Sequence, residues 1–170
     1  MLGLRWQDVD LEKGSLQIRR SVSLVAGHGY IENEPKTKGS RRRVVLPQFV
    51  VDVLRRHRTL QLEARLKAGV LWVDHDLVFC NRHGGFLNHG IIFTFFSKAL
   101  QDAGLPRMRF HDLRHSAATL LLSMGVHPKV VQELLGHSTI KMTMDTYSHI
   151  LPSMQVEAME KMDNLFRQQS

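Results

Sequence analysis

The part of the chain that most constrains its fold is residues 111–147, which alternates helical segments with glycine and proline breaks. Apolar residues three and four positions apart predict that the first helix buries one face, formed by Leu113, Ala117, Leu120, Leu121 and Met124. Gly125 and Pro128 end that helix, and Gly136 ends a second helix that begins at Pro128. A third helix follows and runs to Tyr147. The sequence therefore predicts three short helices packed through their apolar faces.

Polar side chains with catalytic chemistry stand at the ends of these helices. His111 and Arg114 are three residues apart and share a helix face, with His115 one position further round. We expect this N-terminal turn to face a cleft. His137 directly follows the glycine that ends the second helix, and Tyr147 lies at the end of the inward face of the third.

Three motifs in this stretch resemble, in order and spacing, those of the tyrosine recombinases, the phage-integrase family. They are His111-x-x-Arg114, Leu135-Gly136-His137-Ser138, and Tyr147 ten residues after His137. No single motif is specific, whereas the three together are, and the likeness extends from about Trp6 to beyond Tyr147. The resemblance implies the catalytic-domain fold of that family, which is mainly α with a small three-stranded antiparallel β-sheet.

These side chains suit the cleavage of a DNA phosphodiester by transesterification. That reaction needs a nucleophile, positive charge near the non-bridging oxygens and an acid for the leaving oxygen. A tyrosine hydroxyl has a pKa of about 10, so groups near Tyr147 must accept its proton or stabilise the phenolate. Arg114 can hold two phosphate oxygens in a fork. His111 and His137 can donate to a phosphate oxygen or shuttle the tyrosine proton.

The resemblance implies a role for each of these residues. Tyr147 is the nucleophile and leaves a 3′-phosphotyrosyl linkage and a free 5′ hydroxyl, and a hydroxyl of a second strand reverses the step. Arg114 corresponds to the family's second arginine, and His111 and His137 correspond to its two histidine positions. A lysine on a hairpin tip protonates the leaving oxygen. Lys36 is favoured for this role, with Lys38 as the alternative. No metal, ATP or other cofactor is required.

The chain departs from the family pattern near its N-terminus. The family's first arginine lies in a Gly-x-Arg-x-x-Glu motif just before a Leu-x-Trp-x-Asp-Ile/Val-Asp turn, which here is Leu4-Arg5-Trp6-Gln7-Asp8-Val9-Asp10. Arg5 lies inside this turn, so we interpret it as a coincidental match. We expect the first arginine and the N-terminal core-binding domain to be absent from this chain. By analogy with removed oxyanion donors, that loss costs about 3–4 kcal/mol, so the chain alone should recombine little.

The N-terminal third of the chain predicts a small antiparallel sheet with a basic tip. Its strands are expected at residues 15–25, 30–34 and 42–46. Between Lys36 and Lys67 there are ten lysines and arginines but only two acidic residues, Asp52 and Glu63. The net charge is +7 and the pI is near 10.0, which favours a polyanionic partner. We expect four residues to bind double-stranded DNA: Lys38, Arg41, Arg42 and Arg43.

Further helices are predicted on both sides of the active-site stretch. One covers residues 48–68, with an inward face of Phe49, Val53, Leu54, Leu60, Leu62 and Leu66. Asn88 caps another that runs to about residue 103, with Ile91, Phe95, Ala99 and Leu100 inward. A last amphipathic helix carries Leu151, Met154, Ala158, Met162 and Leu165. We assign the whole chain to one catalytic-domain fragment, with a β-sheet portion (1–47), a helical active-site portion (48–150) and a C-terminal helix (151–170). That helix packs in cis or docks on a second copy of the chain.

Composition restricts the class of protein. No apolar run approaches the ~20 residues of a membrane span, and the N-terminus has no secretory signal pattern. A single cysteine, Cys80, excludes an internal disulfide. These features favour a cytoplasmic protein, and the resemblance to the phage-integrase family implies that a bacterium or a phage encodes it.

Two other functions compete with recombination. His111, Asp112 and His115 approximate the His-Glu-x-x-His motif of zinc peptidases. Aspartate in place of glutamate, the cationic Arg114 beside the site and the lack of an evident third ligand argue against that function. The other candidate is a DNA-binding fragment without catalytic activity. Its affinity for DNA should fall steeply with salt.

Overall fold

The computed structural model describes residues 2–33 and 41–136, together with residues 156, 159–160, 162–164 and 167. The chain divides into two compact units, Met1–Leu105 and Pro106–Ser170. Their boundary falls inside the portion 48–150 that the sequence analysis treated as one piece. The assignment of the whole chain to a single domain stays a prediction.

The described strands lie in the first unit and form two separate antiparallel sheets. Strands β1 (Val9–Asp10), β2 (Ser15–Ile18) and β5 (Arg42–Val45) make a three-stranded sheet with β2 in the centre. Strands β3 (Ser21–Val25) and β4 (Gly29–Asn33) make a two-stranded hairpin. A small three-stranded antiparallel sheet in a mainly helical chain is therefore confirmed.

The prediction that residues 15–25 form one strand is wrong. The strand stops after Ile18 and a new one begins at Ser21. Successive side chains of a strand point to opposite faces, but Arg19 and Arg20 both contact the carboxylate of Asp8, at 3.4 and 3.3 Å. Because an unbroken strand would send these two side chains to opposite faces, the chain leaves the first sheet here and enters the second.

Helix α1 (Gln48–Ala68) begins and ends where the sequence predicted. Its buried face differs from the prediction, because Leu54 is buried with Val51, whereas the other predicted core residues are largely exposed: Phe49, Val53, Leu60, Leu62 and Leu66. Two polar residues occupy the inward face in their place. His57 Nε2 lies 2.7 Å from the carbonyl oxygen of Val78. Gln61 accepts a hydrogen bond from Trp6 Nε1 at 2.6 Å.

The core of the first unit forms where α1 meets an extended segment, residues 77–80. Trp6, Leu54 and Val78 are its buried members. The amide of Gln61 donates to the carbonyl oxygens of Leu77 and Val78, at 3.0 and 3.2 Å. Leu77 and Val78 are buried in this segment, and a polar side chain of α1 satisfies their carbonyl groups.

Helix α2 (His89–Asp102) is capped as predicted, because Asn88 Oδ1 accepts from the backbone N–H of Gly90 at 2.7 Å. Its predicted inward face is correct at Leu100, which is buried, and wrong at three other positions, which are exposed: Ile91, Phe95 and Ala99. The shielded stripe instead passes through Ile92, Phe96 and Leu100. Apolar residues are so frequent in this helix that two adjacent stripes fit the same helical period.

Among the described residues of the second unit, helices α3 (Asp112–Ser123) and α4 (Pro128–Leu135) pack against each other. Their bounds agree with the predicted breaks at Gly125 and Pro128. The buried contact joins Ala118 and Leu122 of α3 to Val131 of α4. The predicted stripe on α3 is out of phase, since Leu113, Leu120 and Met124 are exposed. The run of leucines at 120–122 supplies more than one apolar face, and the position of α4 selects among them.

Candidate active site and nucleic-acid interface

The first turn of α3 is held in place by an aspartate beside the candidate histidine. Asp112 Oδ2 accepts from the backbone N–H of Arg109 at 2.9 Å, and Oδ1 pairs with Arg109 Nη2 at 3.0 Å. The hydrogen bond from the Arg109 guanidinium holds the pKa of the Asp112 carboxyl below its usual range. His111 occupies the N-cap position without a side-chain capping bond. The start of the helix is therefore set by Arg109 and Asp112, and the imidazole of His111 is not used as a cap.

The predicted neighbours His111, Arg114 and His115 share this turn. The backbone N–H of Arg114 bonds to the His111 carbonyl at 3.0 Å. The rings of His111 and His115 lie edge to face, with centroids 5.4 Å apart. His111 is exposed, whereas Arg114 and His115 are half-buried. A cation and two imidazoles thus stand together at the N-terminal end of α3, where the helix dipole also favours an anion.

Helix α4 ends at a glycine that its backbone conformation requires. Gly136 has φ 69° and ψ 43°, in the left-handed region, and its N–H bonds to the carbonyl of Gln132 at 2.8 Å. Glycine adopts this conformation without steric cost. The predicted helix end directly before His137 is therefore confirmed. Four candidate residues lie outside the described residues: Lys36, Lys38, His137 and Tyr147.

An open, strongly basic cleft of about 740 Å³ lies in the first unit. It is lined by Gln17, Ile18, Arg19, Arg20, Glu32, Asn33, Arg41, Arg42 and Arg43. We call this the arginine cleft. The three predicted DNA-binding arginines of residues 41–43 line it together. Arg19 and Arg20 were missed by sequence reasoning, although two adjacent arginines at a predicted strand position are a signal that could have found them.

Arg5, the coincidental match to the family's first arginine motif, is engaged within the first unit. Its Nη2 pairs with Glu32 Oε1 of β4 at 2.5 Å. Its Nε is buried without a hydrogen-bond partner among the described residues. The interpretation of Arg5 as a non-catalytic residue stays a prediction.

Neither a cluster of metal-ligating side chains nor a membrane-spanning helix occurs in the part of the chain that the structure describes. There, no group of three or more histidine, cysteine, aspartate or glutamate side chains is arranged to hold a metal ion. His111 and His115 thus gain no third ligand from those residues, and Asp112 is paired with Arg109. Within the same ranges, none of the helices has the length and apolar character needed to cross a bilayer.

Sequence comparison identifies the family of this chain. Residues 1–154 match the phage integrase family, and the chain belongs to that family. A XerC-like tyrosine recombinase from Caldanaerobacter subterraneus subsp. tengcongensis is 37% identical over 177 residues, which cover 98% of this chain and 45% of the relative. The resemblance inferred from the three sequence motifs is confirmed.

Solved structures show the same fold. The Tn1549 transposon integrase, in complex with transposon right end DNA, matches with a TM-score of 0.78 and 24% identity over 94% of this chain and 52% of that chain. The XerH site-specific recombinase, bound to a palindromic difH substrate, matches with a TM-score of 0.60 and 29% identity over 92% of this chain and 39% of that chain. The catalytic-domain fold is confirmed, and the chain spans about half the length of the relatives that it matches.

Proposed function

We propose that this chain cleaves and rejoins double-stranded DNA in site-specific recombination, through a 3′-phosphotyrosyl intermediate on Tyr147. The observation that carries this proposal is membership of the phage integrase family over residues 1–154. The first turn of α3 supports it, because Arg114 and His111 stand there beside a helix N-terminus. Relatives of similar fold were solved with DNA bound, which supports DNA as the partner.

The proposed reaction exchanges one phosphate ester for another. The Tyr147 oxygen attacks the scissile phosphorus and its proton passes to a neighbouring base, for which His111 and His137 are the candidates. Arg114 holds the non-bridging oxygens as negative charge develops on them. Lys36, or Lys38 in the alternative, protonates the leaving 5′ oxygen. A 5′ hydroxyl of a second strand then attacks the phosphotyrosine and releases Tyr147, so ester bonds are conserved and no energy source is consumed.

The experiment that tests this activity is a search for the covalent intermediate. The chain and a Tyr147→Phe variant are incubated with nicked duplex DNA, in which loss of a short strand traps the intermediate, and the products are separated under denaturing conditions. We expect a low yield of protein–DNA adduct, because no residue of this chain is assigned to the first arginine position. The adduct should be absent with Tyr147→Phe, which lacks the attacking hydroxyl.

Three results would each contradict a different part of the proposal. An adduct that persists with Tyr147→Phe contradicts the assignment of the nucleophile. An Arg114→Ala variant that yields as much adduct as the parent contradicts the role of that arginine. A chain that binds no DNA in a gel-shift assay, even at low salt, contradicts the whole proposal.

A second candidate function is DNA binding without cleavage. The arginine cleft favours it, because five arginines line one surface of the first unit and none of them belongs to the active-site motifs. Contacts between arginines and the phosphate backbone of DNA give salt-dependent affinity without sequence selectivity. This function predicts steep salt dependence together with no Tyr147-dependent adduct on any substrate.

Assembly and cellular location complete the proposal. We propose that copies of the chain associate on DNA through the C-terminal helix, in which Val156, Met159 and Met162 are helical and largely exposed. We also propose action in the cytoplasm of a bacterium, where bacterial or phage DNA is the accessible substrate.

A further inference from the structure

We infer that the arginine cleft clamps the phosphates of one DNA backbone, and that Asp8 is the positioning residue that aims Arg19 and Arg20 into it. The inference rests on the proposed DNA substrate. It adds two contact residues and one positioning residue that the active-site motifs do not include.

Asp8 is a buried carboxylate whose charge is met by two arginines. It is the last residue of a short 3-10 turn, Trp6–Asp8, and its side chain is 2% exposed. Asp8 Oδ1 lies 3.4 Å from Arg19 Nε, and Oδ2 lies 3.3 Å from Arg20 Nη2. A buried charge is costly unless it is paired. Asp8 therefore requires both arginines to stay close to it.

This double pairing determines where the two guanidinium groups lie. Arg19 and Arg20 lie in the break between β2 and β3, and both reach the Asp8 carboxylate and line the cleft. Arg19 is further held by Gln17, whose Oε1 accepts from Arg19 Nε at 2.9 Å. Asp8 and Gln17 thus orient one edge of these guanidinium groups, and an arginine carries five N–H donors. The remaining donors suit a bidentate phosphate contact.

The other arginines of the cleft come from β5 and the residue before it. In the β2–β5 register Arg43 lies opposite Gln17, so both side chains point to the same face of the sheet. Arg41 and Arg42 also line the cleft. Its one acidic lining residue, Glu32, is paired with Arg5. The lining thus carries five arginines and one carboxylate, and this excess of positive charge suits a polyanion.

The lining selects a phosphate backbone over a nucleobase. Of the described residues that line the cleft, Ile18 is the one apolar side chain and none is aromatic. Bases are held by stacking on aromatic rings and by groove contacts. A lining of arginines matches phosphodiester oxygens, whose contacts position a protein on DNA without reading its sequence. The ligand is therefore the sugar–phosphate backbone of duplex DNA.

The test compares two matched arginine pairs. The Arg19→Ala/Arg20→Ala variant removes two charges from the cleft, and the Arg55→Ala/Arg56→Ala variant removes two from α1, which contributes no described residue to its lining. Binding to a random duplex of about 30 base pairs is measured by fluorescence anisotropy over a range of salt. Affinity falls as salt rises, and each lost phosphate contact reduces the magnitude of the slope of log affinity against log salt by about 0.9. We expect a fall of about two for the cleft variant and a smaller one for the α1 variant.

Asp8→Asn separates positioning from simple charge. The substitution makes the chain more positive by one unit. If Asp8 only neutralised the arginines, the variant would therefore bind DNA more tightly than the parent. Positioning by Asp8 predicts the reverse, with weaker binding and a smaller salt slope. Melting temperature is measured for every variant. If the variants that disturb the Asp8 pairing do not fold, Arg43→Ala, which keeps that pairing, is compared with Arg56→Ala. A DNA contact in the cleft predicts that the salt slope falls by about 0.9 for Arg43→Ala and by less for Arg56→Ala.

Failure of this inference differs from failure of the proposed function. If the parent binds the duplex and both arginine pairs give the same slope, the arginine cleft is not a DNA contact, although the chain still binds DNA. Tighter binding by Asp8→Asn overturns the positioning role. A parent chain that binds no duplex at low salt overturns the proposed function itself.

Discussion

At the scale of single residues, acidic groups beside the functional candidates organise their surroundings. Asp112 starts α3 by binding Arg109, and Asp8 gathers Arg19 and Arg20. Neither aspartate is assigned to the chemistry. Each controls the direction in which a neighbouring cation or helix end is presented, because the negative charge of a carboxylate attracts cations on both of its oxygens.

The pairing of Asp112 predicts a pH effect. Arg109→Ala should raise the pKa of the Asp112 carboxyl towards its usual value, because the hydrogen bond and charge that lower it are lost. A lowered pKa in the folded state adds stability above the unfolded pKa of about 3.9, and that stability is lost as pH falls through the folded value. The parent and variant should therefore differ in stability near neutral pH and converge once the pH has fallen below the lowered pKa of the Asp112 carboxyl.

The measurement for this effect is an NMR titration of the Asp112 carboxyl carbon in both proteins. Asp10 of the first unit, whose pKa is lowered by the hydrogen bond from the backbone N–H of Lys13, serves as the internal control, and its titration should not change. An unchanged Asp112 titration in Arg109→Ala would contradict the pairing.

At the scale of elements, α3 and α4 are held together by a small apolar contact whose phase the sequence leaves open. Ala118 and Val131 are fully buried, and Leu122 is 3% exposed. Leu120, on the stripe that periodicity predicted, is 61% exposed. Leu122 is therefore buried in the contact between the helices, whereas Leu120, two residues before it, faces solvent.

Substitution of these leucines tests the observed phase. Leu122→Ala should lower the free energy of unfolding by about 2–5 kcal/mol, because it removes buried methyl groups and leaves a cavity. Leu120→Ala should change it by less than about 0.5 kcal/mol, as at other exposed positions. Chemical denaturation monitored by helical circular dichroism provides both values. A larger loss for Leu120→Ala would restore the phase that the sequence predicted.

At the scale of the whole molecule, functional groups are divided between the two compact units. The arginine cleft lies in Met1–Leu105, and the α3 turn with Arg114 lies in Pro106–Ser170. The positive charge of the chain is likewise concentrated in the first unit, in residues 36–67. A division of this kind suits a long ligand such as DNA, which contacts many groups along its length.

The proposed association of copies on DNA leads to a truncation test. Removal of residues 153–170 should reduce the mass of the DNA-bound assembly, because it removes the apolar side chains of the C-terminal helix. Light scattering of the protein with duplex DNA provides the mass, and circular dichroism checks that the rest of the chain stays folded. Arg167→Ala is the control, since it breaks the ion pair with Asp163 at 2.8 Å and keeps those apolar side chains.

The truncation has two readable outcomes. A full chain that is oligomeric on DNA and a truncated chain that is not would support exchange of the helix between copies. If the assembly mass falls only by the mass of the deleted residues, with the fold intact, the exchange is contradicted and the helix packs in cis.

Much of the fold could be predicted because it depends on neighbouring residues. The bounds of α1, the cap at Asn88 and the left-handed Gly136 follow from local propensity and capping chemistry. The inward faces could not be predicted as well. The buried side of α1 contains Gln61, which periodicity assigns to solvent, and its partners are Trp6 and Val78, far away in the chain.

The sequence by itself determined the family, the order of the helices and the candidate site residues, because motif spacing and caps are written in adjacent positions. Only the tertiary structure decided how the basic residues are used. The cleft depends on Asp8 reaching Arg19 and Arg20 across a turn and a strand, and on the register that sets Arg43 opposite Gln17. Contacts between distant residues depend on the whole packing of the unit, and no local preference encodes them.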